Sequence, residues 1–203
     1  VESGQIDRFG YIVDDLGGET SRYSLSSLIE YNHASGAVTT ASAYAVAYDF
    51  ALWSNFTYFL ENPVNGDQLK QTDERTYYGG KLVHAVPVNE KLDVTFGAET
   101  RFDDISEVGL FNTVDRVPFN TVRKDSVEEF SAAIWGQADY QFTPDLRGTI
   151  GLRGDYIDAD VNAITLPVNS GGADDTLLSP SAALAWRATD LMELYFNYGE
   201  GFH

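Results

Sequence analysis

The sequence predicts an all-β fold, an antiparallel meander of about eight strands that crosses a membrane as part of a barrel. Side chains alternate between apolar and polar with a period of two, which is the period of a strand, rather than the 3.6 of a helix. Short turns and long polar connections alternate along the chain. On the apolar faces, aromatic residues lie at both strand ends and aliphatic residues lie between them, as expected for the two interfaces of a bilayer.

Eight strands follow from this alternation. They are predicted at about 22–33, 37–52, 76–86, 91–103, 126–142, 146–157, 179–188 and 191–199. Short turns rich in Gly, Pro, Asn and Asp are predicted at 33–36, 87–90, 143–145 and 188–190. Long polar loops are predicted at 53–75, 104–125 and 158–178, and residues 1–21 resemble the end of another. Transmembrane barrels show this asymmetry, with all short turns on one rim and all long loops on the other.

The aromatic residues of the apolar faces are sorted by height. Those beside the short turns are Tyr31, Tyr140, Phe142 and Trp186. Those toward the long loops are Tyr23, Tyr48, Phe50, Tyr78, Phe102, Phe130, Tyr156 and Tyr198. The aliphatic residues between them include Leu25, Ile29, Val46, Leu82, Val94, Ile134, Ile150 and Leu194. In the strand at 37–52, this assigns Val46, Tyr48 and Phe50 to the apolar face and the alanine row to the other face.

Composition excludes several classes of protein. The formal net charge is −18, from 13 basic and 31 acidic side chains, so phosphate repulsion argues against nucleic-acid binding. Cysteine is absent, which excludes disulfides and thiol chemistry. No run approaches 18 apolar residues, so no membrane-spanning helix is predicted. The chain opens on polar sequence rather than on a signal peptide, so we expect either a removed signal or an internal fragment.

The other face of the predicted strands carries many charges. These residues are Glu30, Lys81, Asp93, Glu99, Arg101, Asp139, Arg147, Arg153 and Asp155. They are expected to pair across neighbouring strands and to form a hydrated wall, or to line a ligand path. Acidic residues are also assigned to the long loops, namely Asp67, Asp73, Glu74, Asp103, Asp104, Glu107, Asp174 and Asp175. They are expected to keep the loops soluble, or to favour cationic ligands and bridge lipopolysaccharide through divalent ions.

No catalytic or metal site is predicted. His33, His84 and His203 are not brought together by any arrangement that the pattern predicts, so no metal site is expected. No Gly-x-Ser-x-Gly motif supports a hydrolase, and we expect no enzymatic activity and no cofactor. The stretch that begins at Asp158 opens like a calcium loop but has Ala163 at the sixth position and Asn169 at the twelfth, so it fails the EF-hand pattern.

The last third of the chain carries more specific sequence. Its motifs are Gly151-Leu152-Arg153-Gly154-Asp155-Tyr156, Leu178-Ser179-Pro180, Trp186-Arg187-Ala188-Thr189-Asp190, Glu193-Leu194-Tyr195 and Asn197-Tyr198-Gly199-Glu200-Gly201-Phe202. Asn55-Phe56-Thr57-Tyr58-Phe59-Leu60 and Tyr78-Gly79-Gly80-Lys81-Leu82 fit the same style. Together they resemble the β-barrel of TonB-dependent outer-membrane receptors. The resemblance implies a barrel of about 22 strands, an N-terminal plug domain, and uptake of a scarce ligand such as a siderophore or vitamin.

The resemblance also implies partners and a place in the cell. Residues 1–203 are then one segment of a barrel domain without its plug, located in the Gram-negative outer membrane. Its partners are outer-membrane lipid and lipopolysaccharide, the rest of the barrel with the plug, and an inner-membrane energy-coupling protein. Two alternatives stay open, a complete eight-stranded outer-membrane barrel with a structural or adhesive role and a soluble ligand-binding β-barrel.

The leading hypothesis and the small-barrel alternative differ at the sheet edges. An eight-stranded barrel has an interior just wide enough for side chains, which does not suit so many charges. We therefore expect an open sheet, with no ladder between 22–33 and 191–199. The edges of such a sheet are unpaired, so the isolated segment is expected to need detergent or lipid and to be unstable outside a longer chain.

Overall fold

The computed structural model describes residues 14–201, which form eight β-strands. They are β1 (Gly17–Asn32), β2 (Val38–Ser54), β3 (Leu69–Asn89), β4 (Leu92–Val114), β5 (Val117–Thr143), β6 (Leu146–Ala163), β7 (Gly171–Thr189) and β8 (Met192–Gly199). The only helical element among residues 14–201 is a 3-10 turn at Pro167–Asn169. In this part of the chain, no helix has the length and apolar character needed to cross a bilayer. The predicted number of strands and the all-β class are confirmed.

The strands form one antiparallel sheet in sequence order, from β1 to β8. Every strand pairs with its neighbour in the chain, which confirms the predicted meander. β1 and β8 are the two edges of the sheet, and no ladder joins them among the described residues. The sheet is therefore open, as expected, and the complete small barrel lacks the closure that it requires.

One of the three long connections predicted from the sequence is a strand pair instead. The loop expected at 104–125 is wrong, because β4 continues to Val114 and β5 starts at Val117. Asp115 (φ 49°) and Arg116 (φ 66°) form the tip, and both have the left-handed backbone of a two-residue hairpin turn. The sequence predicts a loop here because polar residues occupy both faces. A strand pair that water surrounds needs no apolar face, so it does not show the alternation from which strands are predicted.

The other long connections are shortened in the same way. β3 begins inside the loop predicted at 53–75, which leaves 55–68 as the connection. β6 and β7 extend into the loop predicted at 158–178, which leaves 164–170. The four short turns lie on the opposite rim, at 33–37, 90–91, 144–145 and 190–191. We call this edge the short-turn rim and the other edge the long-connection rim.

The pairing register is regular in the middle of the sheet and irregular at its ends. Shifts near the short-turn rim fall between Pro87 and Asn89, Gln141 and Thr143, and Arg187 and Thr189. Shifts toward the long-connection rim fall between Glu74 and Arg75, Ile105 and Val108, Leu110 and Phe111, and Asn112 and Thr113. Between these two zones each side-chain row stays on one face of the sheet.

One face of the sheet is apolar and exposed. Leu25, Ile134 and Ile150 are 77%, 71% and 67% accessible, and we call the side that carries them the apolar face. The four aromatic residues predicted beside the short turns are exposed near that rim, namely Tyr31, Tyr140, Phe142 and Trp186. A soluble ligand-binding barrel would bury its apolar rows in a core. The exposed belt therefore argues against that alternative.

The faces of β2 are the reverse of the sequence prediction. Ala41 pairs with Leu82 and Ala45 with Tyr78, so the alanine row lies on the apolar face. Val46, Tyr48 and Phe50 consequently lie on the opposite face, which we call the polar face. Their assignment to the apolar face is wrong.

Packing explains why the bulky row of β2 turns to the polar face. Gly79 lies opposite Tyr44 and leaves room for its ring, since a Cβ at Gly79 would lie 2.8 Å from the ring Cζ. The Tyr44 and Tyr77 rings meet edge to face with centroids 6.3 Å apart. Val46 is 4% accessible in the same layer. Large side chains fill this layer, and small alanines suffice on the apolar face, where Tyr78 and Leu82 project beside them.

Spin labels on two adjacent small residues of β2 test the reversal. In a reconstituted membrane, a label at Ala43→Cys is expected to collide mainly with oxygen, because oxygen concentrates in lipid. A label at Ser42→Cys is expected to collide mainly with a water-soluble nickel chelate. Power-saturation electron paramagnetic resonance gives both collision rates, and the opposite order at the two positions would restore the original assignment.

Candidate functional site

The polar face contains an open cleft of about 590 Å³ that spans β2 to β6. We call it the charged cleft. Its charged residues and its tyrosine are Tyr44, Arg75, Lys81, Glu99, Arg101, Asp103, Glu129, Arg153 and Asp155. Period-two geometry explains the convergence, because alternate residues of adjacent paired strands project from the same face. Most of the inward charges predicted from the sequence between 81 and 155 lie in this cleft.

Glu99 is the centre of the ion-pair network in the cleft. Its carboxylate accepts a hydrogen bond from Arg153 at 2.5 Å and lies 3.6 Å from the Lys81 ammonium group. Arg153 also donates from Nε to both oxygens of Asp155, at 2.9 and 3.0 Å. The network passes from β3 through β4 to β6 across Ala133 of β5, which is 6% accessible beneath it. The predicted pairing across neighbouring strands is confirmed for Lys81 and Glu99, whereas Arg153 reaches Glu99 across β5 and pairs with Asp155 within its own strand.

An arginine and an aspartate two residues apart recur on four consecutive strands. The pairs are Asp73 with Arg75, Arg101 with Asp103, Arg123 with Asp125, and Arg153 with Asp155. Asp103, Asp125 and Asp155 are only 4%, 3% and 7% accessible, whereas their arginine side chains remain 37–65% accessible. Each aspartate therefore sits in the wall and fixes a guanidinium group that projects from it.

Sequence reasoning missed these pairs although the signal was present. The spacing Arg-x-Asp occurs at Arg101, Arg123 and Arg153, and its inverse occurs at Asp73. Asp73 and Asp103 were assigned to soluble loops, but both are paired with arginine and Asp103 is buried. On a strand, a spacing of two places both side chains on one face, so the pairs were predictable once the strand was extended.

Two more residues of the predicted acidic loops have specific partners. Asp67 accepts hydrogen bonds from the backbone N–H groups of Glu61 at 3.0 Å and Asn62 at 2.7 Å, and the bond from Glu61 leads in lowering its pKa. Glu107 accepts from Lys124 at 2.5 Å and from the Thr72 hydroxyl at 2.7 Å. Asp104 lies in β4, and Asp174 and Asp175 lie in β7, rather than in loops, but all three are exposed as expected. Part of the acidic surface is thus used to order the long-connection rim.

Acid is expected to loosen the β4–β5 hairpin through Glu107. Burial raises the pKa of this carboxyl, but the hydrogen bonds from Lys124 and Thr72 outweigh it and the pKa lies below the ordinary value. The stabilisation is therefore complete above the ordinary glutamate pKa of about 4.3 and is lost as the pH falls through the lower folded-state value. A spin label at Val117 is expected to gain mobility in that range, and Glu107→Gln should give a mobile label already at neutral pH. An acid response that is unchanged in Glu107→Gln would contradict this assignment.

The hairpin tip is tied to its neighbours at the long-connection rim. Arg116 lies 4.7 Å from the Trp53 ring centre, donates to the Asp15 carbonyl at 2.7 Å and pairs with Glu19 at 3.1 Å. Gln68 accepts from the Thr113 hydroxyl at 2.7 Å and donates to the Asp15 carboxylate at 2.6 Å. These contacts connect the segment before β1 with the ends of β2, β3 and β4. The tip is held by polar contacts in addition to its own ladder.

The structure brings two of the three histidines together, which the sequence did not predict. His33 Nε2 and His84 Nδ1 each lie 2.7 Å from the Thr39 hydroxyl, and the two ring centres are 5.4 Å apart. His203 lies outside the described residues. Residues 158–163, where the calcium-like stretch begins, are extended in β6. Among residues 14–201, no group of three or more histidine, cysteine or acidic residues is arranged to hold a metal ion.

The sequence of this chain matches the model of a known protein family. The model for the TonB dependent receptor-like β-barrel matches residues 2–203. The chain belongs to this family. TonB-dependent receptors are outer-membrane proteins of Gram-negative bacteria that combine a barrel with a plug domain, and the family consists of receptors and transporters. A search of curated protein sequences returned no match.

Solved structures of transporters share the architecture of this receptor segment. The copper transporter OprC superposes with a TM-score of 0.71 at 16% identity, over 91% of this chain and 32% of its own. The import receptor Fiu of E. coli K12, described as a ferric-catecholate receptor, gives 0.67 at 14% identity, over 97% and 38%. The ferric citrate transporter FecA gives 0.66 at 11% identity, over 90% and 27%. The chain thus spans about a third of the length of these proteins, and the likeness shows the fold.

Proposed function

We propose that residues 1–203 form one wall of an energy-coupled uptake receptor in the Gram-negative outer membrane. The observation that carries this proposal is the division of one open sheet into an exposed apolar face and a face with a charged cleft. A lipid-embedded wall around a hydrated interior needs both faces. The match to the receptor barrel family over residues 2–203 supports the same function. The plug and the remaining strands belong to other parts of the receptor.

The apolar face contacts lipid in this proposal. The short-turn rim lies at the periplasmic side and the long-connection rim outside, which is the usual arrangement in outer-membrane barrels. Exposed acidic residues of the outer rim, such as Asp174 and Asp175, then bridge lipopolysaccharide through divalent ions. The inner-membrane energy-coupling protein acts through the plug rather than through this wall.

The charged cleft faces the interior, where the plug and the ligand pass. Its arginines and lysine are balanced by carboxylates, so the wall carries little net charge. Its many charged groups keep the wall hydrated. Fixed guanidinium groups such as those of Arg101 and Arg153 suit planar anionic groups, including the carboxylates of metal chelates. We infer a scarce ligand of the siderophore or vitamin type, and we expect neither enzymatic activity nor a resident cofactor.

Uptake by cells that express the complete receptor tests the proposal. Suitable probes are radiolabelled ferric citrate, ferric catecholate, copper and cobalamin, each offered with and without the inner-membrane energy-coupling protein. We expect at least one probe to accumulate about tenfold more slowly when the coupling protein is absent. Equal uptake of every probe in both strains, or leakage of unrelated small solutes, would contradict an energy-coupled receptor.

A variant of the cleft refines this test. Arg101→Ala removes a guanidinium group held at 2.6 Å by Asp103, and it is expected to reduce uptake of the responding probe several-fold at an unchanged level of receptor in the membrane. Arg187→Ala is the matched control, because Arg187 lies at the short-turn rim with only a 3.9 Å contact to Asp145. Equal uptake by the two variants would remove the cleft from the ligand path.

A further inference from the structure

We propose that His33 and His84 form a binding site for a transition-metal dication on the apolar face, at the short-turn rim. This site is separate from the charged cleft, which lies on the opposite face. It contains two ligands from the protein, and water completes the coordination sphere. Nothing in the proposed uptake function requires it.

The geometry of the two rings supports this site. His33 Nε2 and His84 Nδ1 each lie 2.7 Å from the same Thr39 oxygen, so both nitrogens already point at one position. The ring centres are 5.4 Å apart and the ring planes are inclined by 84°. A tetrahedral ion that binds two imidazoles at about 2.0–2.1 Å holds their ring centres roughly 5 Å apart. The existing separation therefore fits two ligands on one ion with little movement.

The backbone fixes both ligands before a metal binds. His33 donates its N–H to the Ala37 carbonyl at 2.8 Å, and its own carbonyl accepts from Gly36 at 3.0 Å, which orders the β1–β2 turn. His84 lies within the β3 ladder opposite Thr39. The rings are also supported from the sides, since Tyr31 packs 4.6 Å from His33 and Phe96 packs 5.3 Å from His84. Little conformational freedom remains to be lost on binding, which favours a chelate.

The orientation of β2, with its alanine row on the apolar face, places the Thr39 hydroxyl between the two histidine rings. Thr39 belongs to the same row as the alanines and therefore lies on the apolar face, between the β1–β2 turn and β3. Its hydroxyl can donate to one imidazole and accept from the other, which keeps both rings turned toward it. A metal ion would take the place of this hydrogen-bonded bridge and join the turn to β3.

The donor set indicates the class of ion. Neutral imidazole nitrogens are ligands for Zn²⁺, Ni²⁺ and Cu²⁺, whereas Ca²⁺ and Mg²⁺ prefer oxygen ligands. Among the divalent ions of this series, Cu²⁺ is expected to bind most tightly. With two protein ligands, the site is expected to exchange its ion readily rather than to retain it through purification.

Calorimetric titration of the complete receptor in detergent with Zn²⁺ tests the site. His33→Ala and His84→Ala are each expected to weaken the relevant binding event by about 10- to 100-fold, because the second imidazole no longer acts at high effective concentration. The double variant is expected to bind Zn²⁺ at most about threefold more weakly than either single variant, because both histidines contribute to one shared chelate. His203→Ala is the matched control for a histidine of the same chain and is expected to leave the titration unchanged.

A second measurement identifies the ligands directly. Electron paramagnetic resonance of bound Cu²⁺ is expected to show coupling to two imidazole nitrogens in the wild type and to one in each single variant. Unchanged Zn²⁺ affinity in both single variants would overturn the proposal. A loss of half the bound Zn²⁺ per variant at constant affinity would also overturn it, because that result indicates two independent histidines. His33→Asn and His84→Gln replace the alanine variants if either of those does not fold. None of these results depends on which ligand the receptor takes up.

Discussion

Replacement of Ile150 by arginine is expected to destabilise the folded receptor by about 2–4 kcal/mol, the cost of an arginine at the middle of the bilayer on the lipid-facing side of a barrel. Ile150 is 67% accessible and belongs to the exposed apolar belt of β6, opposite Ala138. Reversible unfolding in urea from lipid vesicles gives the change in free energy. In cells, the same variant is expected to reach the outer membrane in smaller amounts.

The polar face offers a control at the same height. Gln137 is the neighbour of Ala138 along β5 and pairs with Gly151, so it differs from Ile150 mainly in the face that it occupies. Gln137→Arg is expected to change the free energy of unfolding by less than about 0.5 kcal/mol, because its side chain is exposed on the polar side. Equal losses in the two variants would show that the faces are not divided between lipid and water.

Replacement of Gly97 by valine is the second large effect, with an expected loss of about 1–3 kcal/mol from overpacking. A Cβ at Gly97 would lie 2.7 Å from the Trp135 ring and 2.8 Å from the Leu82 carbonyl oxygen. The ring can turn aside, but the backbone carbonyl belongs to the β3–β4 ladder and cannot. Trp135 also lies beneath the Lys81 ammonium group, 5.5 Å from it, so a shift of the ring disturbs the charged cleft.

Gly154 provides the matched control for this substitution. It is also a strand glycine, but a Cβ there would meet nothing within 4 Å. Gly154→Val is expected to be neutral or slightly stabilising, because valine favours a strand and contributes apolar surface toward lipid. Urea unfolding of both variants decides the matter, and a Gly97→Val variant as stable as Gly154→Val would show that the Trp135 contact is not tight.

The strand count and the meander were predictable because membrane burial imposes a strict period of two. In the belt, Val94 of the apolar face lies between Asp93 and Thr95 of the polar face, and this alternation is the one expected of rows that contact lipid on one side only. The same physical rule explains where the prediction failed. Toward the long-connection rim, a strand pair that contacts water on both faces shows no such alternation. The sequence therefore predicts a loop at 104–125, where β4 and β5 continue as strands.

The face of β2 was mispredicted for a different reason. Hydrophobicity alone favoured the row of Val46, Tyr48 and Phe50 over a row of alanines, but hydrophobicity ignores volume. The space above Gly79 has to be filled from the polar side, and Tyr44 fills it. The serine and threonine of the same row, Ser42 and Thr40, were the available sign that this row does not contact lipid.

The arginine–aspartate pairs and the histidine pair depend on strand extent and strand register, which a single sequence does not show. The Arg-x-Asp spacing was visible, yet its meaning depended on knowing that residues 101–103 and 123–125 are extended. The contact between His33 and His84 depended on both the register of β2 with β3 and the correct face for Thr39. A histidine pair 51 positions apart therefore had no local sequence signal.

The position of the register shifts has a consequence for how such a wall can change during evolution. From Leu92 to Ile105, β4 pairs with β5 without interruption, whereas three shifts follow within the next nine residues. In the regular part, one inserted residue would turn every following side chain over and place guanidinium groups in lipid. Beyond Ile105, a β-bulge in a strand pair exposed to water accommodates the insertion with little loss of stability. Length variation among related walls is therefore expected to accumulate beyond Ile105, where new sequence can reach the external medium while the lipid-facing and interior rows keep their order.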